Sequence, residues 1–192
     1  MVPAQRRQHM QYKRSISFSR AGEILIKIIW LEKRLVDLII LRENPELKDD
    51  FNAGNISSSH ALIRLDWHRQ SAPWIIEKFL KTFPEIESID KDKDIKHTDN
   101  LLFIIELRDM LAHGDISYYR DNILYVPRNQ KRRENFDLIT KPIKTEDDDG
   151  TRVINLADDD NHRKILAVLN GIEEKIVEKI SKSFGVNPEH IK

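Results

Sequence analysis

The run ILIKIIWLEKRLVDLIIL, residues 24–41, constrains this chain more than any other stretch. Apolar residues recur at 24, 25, 28, 31, 35, 38 and 39, the three- and four-residue steps that place side chains on one face of a helix. Lys27, Glu32, Lys33, Arg34 and Asp37 interrupt the run, so it contains no apolar window of about 18 residues and does not read as a membrane span. The expectation is a helix over roughly residues 18–42. Asn44-Pro45 ends it, because the residue before a proline is biased away from the helical region.

The pattern repeats downstream. HALIRLDWHRQSAPWIIEKFLKTFPE is a second helical region with Pro73 inside it, so either the helix kinks there or a new one starts with Ser71 as N-cap. Pro84 closes it, and residues 85–99 read as a polar loop. Asp90, Asp92 and Asp94 in that loop do not make an EF-hand, since Ile95 stands where the turn glycine belongs and Leu101 where the final glutamate belongs. A third helix runs from a cap at Thr98 or Asp99 to Gly114 in the C′ position. The stretches ISYYRDNILYV, ENFDLIT and TRVINLA then alternate in polarity and predict a small antiparallel hairpin or meander. A last helix begins near Asp160 or Asn161 and stops at Gly185. The fold class is therefore mainly α, a bundle of four to five helices with a small antiparallel β insertion between the last two.

With 192 residues the chain fits one domain: a basic arm over 1–17, a helical domain over 18–185 carrying the insertion at 115–157, and a tail over 186–192. Apolar residues at 40% and charged residues at 33% place it with soluble globular helical proteins rather than disordered ones. There is no cysteine, which excludes disulfides, thiolate nucleophiles and cysteine zinc sites. MVPAQRRQHMQYKRS has no apolar core of a signal peptide, so the expected location is the cytoplasm, with no membrane association, and the sequon at Asn55 carries no weight. Net charge is zero but unevenly spread. Arg6, Arg7, Lys13, Arg14 and Arg20 precede the first acid, and RNQKRR supplies Arg128, Lys131, Arg132 and Arg133. A basic arm and a basic loop can grip a polyanion, or they can simply be a solvated tail and a charged turn.

The third helix carries the chemistry. At about 100° per residue, Glu106, Asp109 and His113 form a polar stripe, and the i,i+4 spacing lets the Asp109 carboxylate reach the His113 imidazole. Leu101, Ile104, Ile105, Leu111 and Ala112 form an apolar arc with Arg108 in its middle. A buried guanidinium has to be paired, by Glu77 of another helix, by a second subunit or by a ligand phosphate.

The phrase LRDMLAHG, residues 107–114, resembles the signature of the HEPN superfamily (higher eukaryotes and prokaryotes nucleotide-binding), an R-x(4–6)-H motif with a polar residue after the Arg, Ala before the His and Gly after it. The resemblance is specific over Thr98–Gly114 and architectural elsewhere. Asp109 stands where Asn is commoner, and Asp115 stands where HepT-type toxins carry Tyr, which sets that subfamily apart. The resemblance implies a homodimer through the third helix, in which two motif helices line one cleft. Arg108 and His113 lie about 140° apart on one helix, and a composite site across a two-fold axis accommodates that separation.

It further implies a metal-independent endoribonuclease without cofactor, of a bacterial toxin or antiviral defence system, with RNA as substrate and an antitoxin protein as a candidate partner. In that chemistry His113 is acid or base, Arg108 stabilises charge on the phosphoryl oxygens and Asp109 orients the imidazole. Tyr118 and Tyr119 are candidates to stack bases. No His-x-His or HExxH pair offers a metal site. Two other readings fit the same residues: a non-catalytic module binding a nucleotide, RNA or a protein, and a structural helical adaptor with Arg108 in an internal ion pair.

Overall fold

A computed structural model describes residues 3–54, 57–67, 69–89, 96–116, 122–126, 130, 134, 137 and 151–191, with backbone alone at 3–11, 13, 14, 115, 116 and 122. The chain is mainly helical with a small antiparallel sheet inserted between two long helices. Its order is α1 (Pro3–Glu43), α2 (Lys48–Asn52), α3 (Ser58–Trp67), α4 (Ala72–Thr82), α5 (His97–His113), β1 (Asp115–Ile116), β2 (Asn122–Tyr125), β3 (Arg152–Asn155), α6 (Asp159–Ile172) and α7 (Glu178–Ser183). Residues 1–28 with 102–168 make one compact unit, and residues 29–101 with 169–192 make a second.

In the first unit α1 starts at Pro3, well before the expected residue 18. The early turns lack an apolar stripe. They are instead rich in Ala, Gln, Arg, Met and Lys, which favour the helix by intrinsic propensity, behind a proline that tolerates the first turn. Ile24 and Ile28 of α1, Phe103, Ile104, Leu107 and Met110 of α5, Ile123, Ile154, Leu156 and Ile165 are all buried. The sheet runs β1-β2-β3, antiparallel throughout, with Ile123 opposite Ile154 and Tyr125 opposite Arg152. Those four share the buried phase of the pleat, as a period of two requires. Arg152 is admitted there because Asp137 takes it in a bidentate pair at 2.5 and 2.7 Å. Asp137 and Glu134 are helical, so the expected strand ENFDLIT is not extended at the two of its residues described. Gln130 Nε2 donates to Glu134 Oε1 at 3.1 Å, a helical i,i+4 contact that alternation of polarity does not reveal. Asp158 is the N-cap of α6, accepting from the backbone N–H of Asp160 at 2.8 Å and of Asn161 at 3.1 Å, so the helix begins slightly earlier than expected.

In the second unit α3 and α4 are separate helices. Ser71 is the extended residue before α4, and Pro73 sits in its first turn. The core holds Leu31, Leu35, Leu38, Phe51, Ile76, Phe79, Phe83, Leu169, Ile176 and Ile180. The last helical stretch is not one α-helix: residues Glu173–Val177 form a π turn between α6 and α7. It ends in a Schellman motif, with Gly185 at φ 68°, its N–H donating to Lys182 O and that of Val186 to Ser181 O.

Three charged residues of the run 24–41, Glu32, Arg34 and Asp37, are buried in this unit. Arg34 donates to Glu173 Oε1 at 2.6 Å and to the Pro188 carbonyl at 2.5 Å, and lies 4.5 Å from the Trp30 ring centroid. Asp37, 1% exposed, is held by Arg64 at 2.7 and 2.9 Å, with His60 Nε2 at 3.8 Å. His60 packs on Phe51 at 4.4 Å between ring centroids.

The start of α5 also departs from expectation. The orphan N–H groups of His97 and Thr98 donate to the two carboxylate oxygens of Glu87, at 3.1 and 2.7 Å, so the cap is Glu87 rather than Thr98 or Asp99. Partial burial pushes the Glu87 carboxyl up, but hydrogen bonds from the Thr98 side chain and from the Thr98 and His97 backbone outweigh it and leave the pKa lowered. A lowered folded-state pKa contributes stability that is present above the unfolded value, about 4.3, and is lost as pH falls through the folded value. Glu87→Ala is expected to cost about 1 kcal/mol at pH 7. Urea titrations should show the gap to the parent narrowing as the pH is lowered through the carboxylate range.

Candidate functional site

The last turn of α5 emerges from the core. Phe103, Leu107 and Met110 are fully buried, and Glu106 is buried with them. Arg108, Asp109 and Leu111 are half-buried, and Ala112 and His113 are exposed. On the wheel Arg108, Ala112, Asp109 and His113 follow one another around an accessible arc of about 140°.

One expectation is corrected by this arrangement and another holds in part. The expected apolar arc is buried at Leu101, Ile104 and Ile105 and opens only in the last turn, where Leu111 is half-buried and Ala112 exposed; Arg108 among them is half-buried. Glu106 does not belong to a solvent stripe: Tyr125 of β2, itself buried, donates its hydroxyl to Glu106 Oε2 at 3.3 Å. Asp109 and His113 of the same stripe are half-buried and exposed, so only its Glu106 end is covered. Neither Arg108 nor Asp109 is without an interaction partner. Glu77, the expected carboxylate partner for a buried Arg108, is an exposed residue of α4.

Gly114 fixes where the helix ends. Its N–H donates to Met110 O at 2.7 Å. A Cβ at this position would collide with the Met110 carbonyl, lie 2.6 Å from Ile123 Cγ2 and 3.1 Å from the Leu124 carbonyl. The glycine is required by the close approach of β2. It is not required by a left-handed backbone, since the positive-φ glycines among the described residues are Gly54 and Gly185. Gly114 thus takes the expected C′ position and adds a packing role there, which ties the residues around His113 directly to the sheet.

Arg108 and Asp109 are thus half-buried and His113 exposed at the end of α5, with Arg108 and His113 about 140° apart around the helix. Tyr118, Tyr119, Arg128, Lys131, Arg132 and Arg133, the candidate RNA contacts, lie outside the described residues. Among the described residues no cluster of three or more His, Asp or Glu side chains could hold a metal ion. A cavity of about 320 Å³ in the second unit is lined by Arg42, Phe83, Glu85 and Lys179 among others and includes none of the candidate residues.

Sequence reasoning missed the buried polar groups Glu106, Asp37, His60 and Arg34. The signal for Asp37 and Arg34 was present, since both interrupt the apolar face of LEKRLVDLIIL and have to be paired there. His60 and Arg64, one turn apart on α3, are the matching signal for Asp37. No helix among the described residues is long and apolar enough to cross a membrane. Set against models of protein families, curated proteins and solved structures, the chain matches none of them.

Proposed function

We propose that this chain is a HEPN-type, metal-independent endoribonuclease of a bacterial toxin or antiviral defence system, acting in the cytoplasm as a homodimer. The observation that carries the reading is the accessible arc at the end of α5. The one phrase that resembles a ribonuclease motif is also where an arginine, an aspartate and a histidine reach solvent together.

RNA brings its own nucleophile. The 2′-oxygen attacks the adjacent phosphorus, the bond to the 5′-oxygen breaks, and the products are a 2′,3′-cyclic phosphate and a 5′-hydroxyl. His113 takes the 2′-hydroxyl proton or donates one to the leaving oxygen, a task suited to a group that titrates near neutrality. Arg108 stabilises the charge that gathers on the non-bridging oxygens. Asp109 lies one helical turn before His113 and orients its ring. The wide angle between Arg108 and His113 favours a cleft shared by two copies, each α5 supplying one of the pair. Tyr118, Tyr119, Arg128, Lys131, Arg132 and Arg133 are the RNA contacts of this reading. An antitoxin protein would cover the same arc.

One observation favours a second reading. Arg108 already has an interaction partner within the chain, as a structural adaptor would require. Arg108→Ala separates the two. The ribonuclease reading expects cleavage to be lost while the melting temperature holds or rises, because a half-buried arginine facing its twin across a cleft contributes little to the fold. A fall of many degrees, with activity per folded molecule unchanged, would place Arg108 in the scaffold.

A further inference from the structure

We infer that the cavity of the second unit is a binding site for a small monocarboxylate with an apolar body. The cavity holds about 320 Å³, at the lower end of the roughly 300–1,000 Å³ of ligand pockets. That is the volume of about ten water molecules in the liquid, so it suits a ligand of roughly ten non-hydrogen atoms. Phe83, Ile89 and Ile180 give it apolar walls, and Arg42, Lys179 and Glu85 bring charge to them. Two cations against one acid leave one positive charge in the lining, which a carboxylate balances and a phosphate dianion would exceed.

Arg42 is the group that selects an anion. Its guanidinium lies 5.5 Å from the centroid of the Phe83 ring and 5.9 Å from that of Phe184. The rings hold the cation by its charge and offer no oxygen to its planar fork of N–H donors. The Glu85 carboxylate is 3.5 Å away, beyond the ordinary N–H···O distance, and the two side chains are 46% and 44% exposed. A pair so solvated contributes little, and a ligand carboxylate can displace it with two shorter contacts. The helix ends around the cavity are capped by the chain itself. Ile40 O accepts from the Asn44 N–H at 2.7 Å and from its side chain at 3.0 Å. Phe79 O accepts from the Phe83 N–H at 2.9 Å, and Ile180 O from the Ser183 hydroxyl at 2.7 Å. The donors of Arg42 are therefore not spent on these carbonyls.

The inference goes beyond the ribonuclease reading and rests on none of it, since no residue of α5 lines the cavity. A chemical-shift titration of the full chain with phenylacetate, an acid of about ten non-hydrogen atoms, makes the test. It should saturate with a Kd of about 1 mM or tighter. Phenylacetamide has the same shape without the charge and should bind about tenfold more weakly or worse. Acetate, which lacks the ring, should be weaker by a similar factor. Arg42→Gln keeps a stem over Phe83 but loses the charged fork, and should weaken phenylacetate by about tenfold or more. Glu85→Gln removes the competing carboxylate and should tighten binding several-fold, a gain that a loosened fold does not produce. No saturable shift up to about 10 mM, equal affinity for the amide, a parental Kd in Arg42→Gln, or weaker binding in Glu85→Gln would each overturn the inference.

Discussion

His113→Ala should lower RNA cleavage by about a hundredfold to ten-thousandfold, the range an acid–base side chain contributes, and leave the melting temperature of the chain unchanged. The second half of that expectation comes from the fold. His113 is exposed on the final turn of α5, and the residues that anchor this end of the helix are Met110, beneath it, and Gly114, against β2. Activity on a labelled RNA and thermal denaturation of the same preparation check both halves. Cleavage that survives the substitution at the parental rate would remove His113 from the chemistry.

The largest effect on stability is expected at Arg64. Its guanidinium is the bidentate partner of Asp37, which is among the most buried charged groups of the second unit. Desolvating a carboxylate is tolerable only while a cation meets it with good geometry, so truncating the cation costs more than the pair itself contributes. Arg64→Ala should destabilise the chain by about 3–5 kcal/mol, because it removes both guanidinium contacts from a buried carboxylate. The double substitution of Asp37 and Arg64 by apolar residues of similar size should recover much of that loss. Urea unfolding of the parent, single and double variants makes the comparison. A loss below about 1 kcal/mol in the single variant is the signature of a solvated pair and would contradict the burial assigned to Asp37.

How much of this was legible in the sequence depends on whether the deciding contact was local. The apolar steps of residues 24–39 identified α1, Pro73 marked the start of α4, and Gly185 marked the end of α7, because each signal acts within a turn or two of itself. The cap of α5 was not legible, since Glu87 lies ten residues before the N–H it accepts and no local spacing points to it. The burial of Glu106 was not legible for the same reason. A helical wheel ranks faces by composition, but Glu106 on the polar stripe is met by Tyr125 of β2, and Ile123 of the same strand abuts Gly114. The phrase LRDMLAHG was legible as a unit. What the wheel did not show was that the apolar arc around Arg108 opens at Leu111 and Ala112.

Arg108, Asp109 and His113 amount to a ribonuclease site only if they cut RNA by the route their chemistry allows. Purified chain incubated with a defined RNA in excess EDTA, followed by analysis of the new ends, tests this directly. The account predicts cleavage at an undiminished rate, with 2′,3′-cyclic phosphate on one fragment and 5′-hydroxyl on the other. Cleavage abolished by EDTA, or 3′-hydroxyl and 5′-phosphate ends, would contradict it, and so would RNA bound tightly by pure protein without any cut.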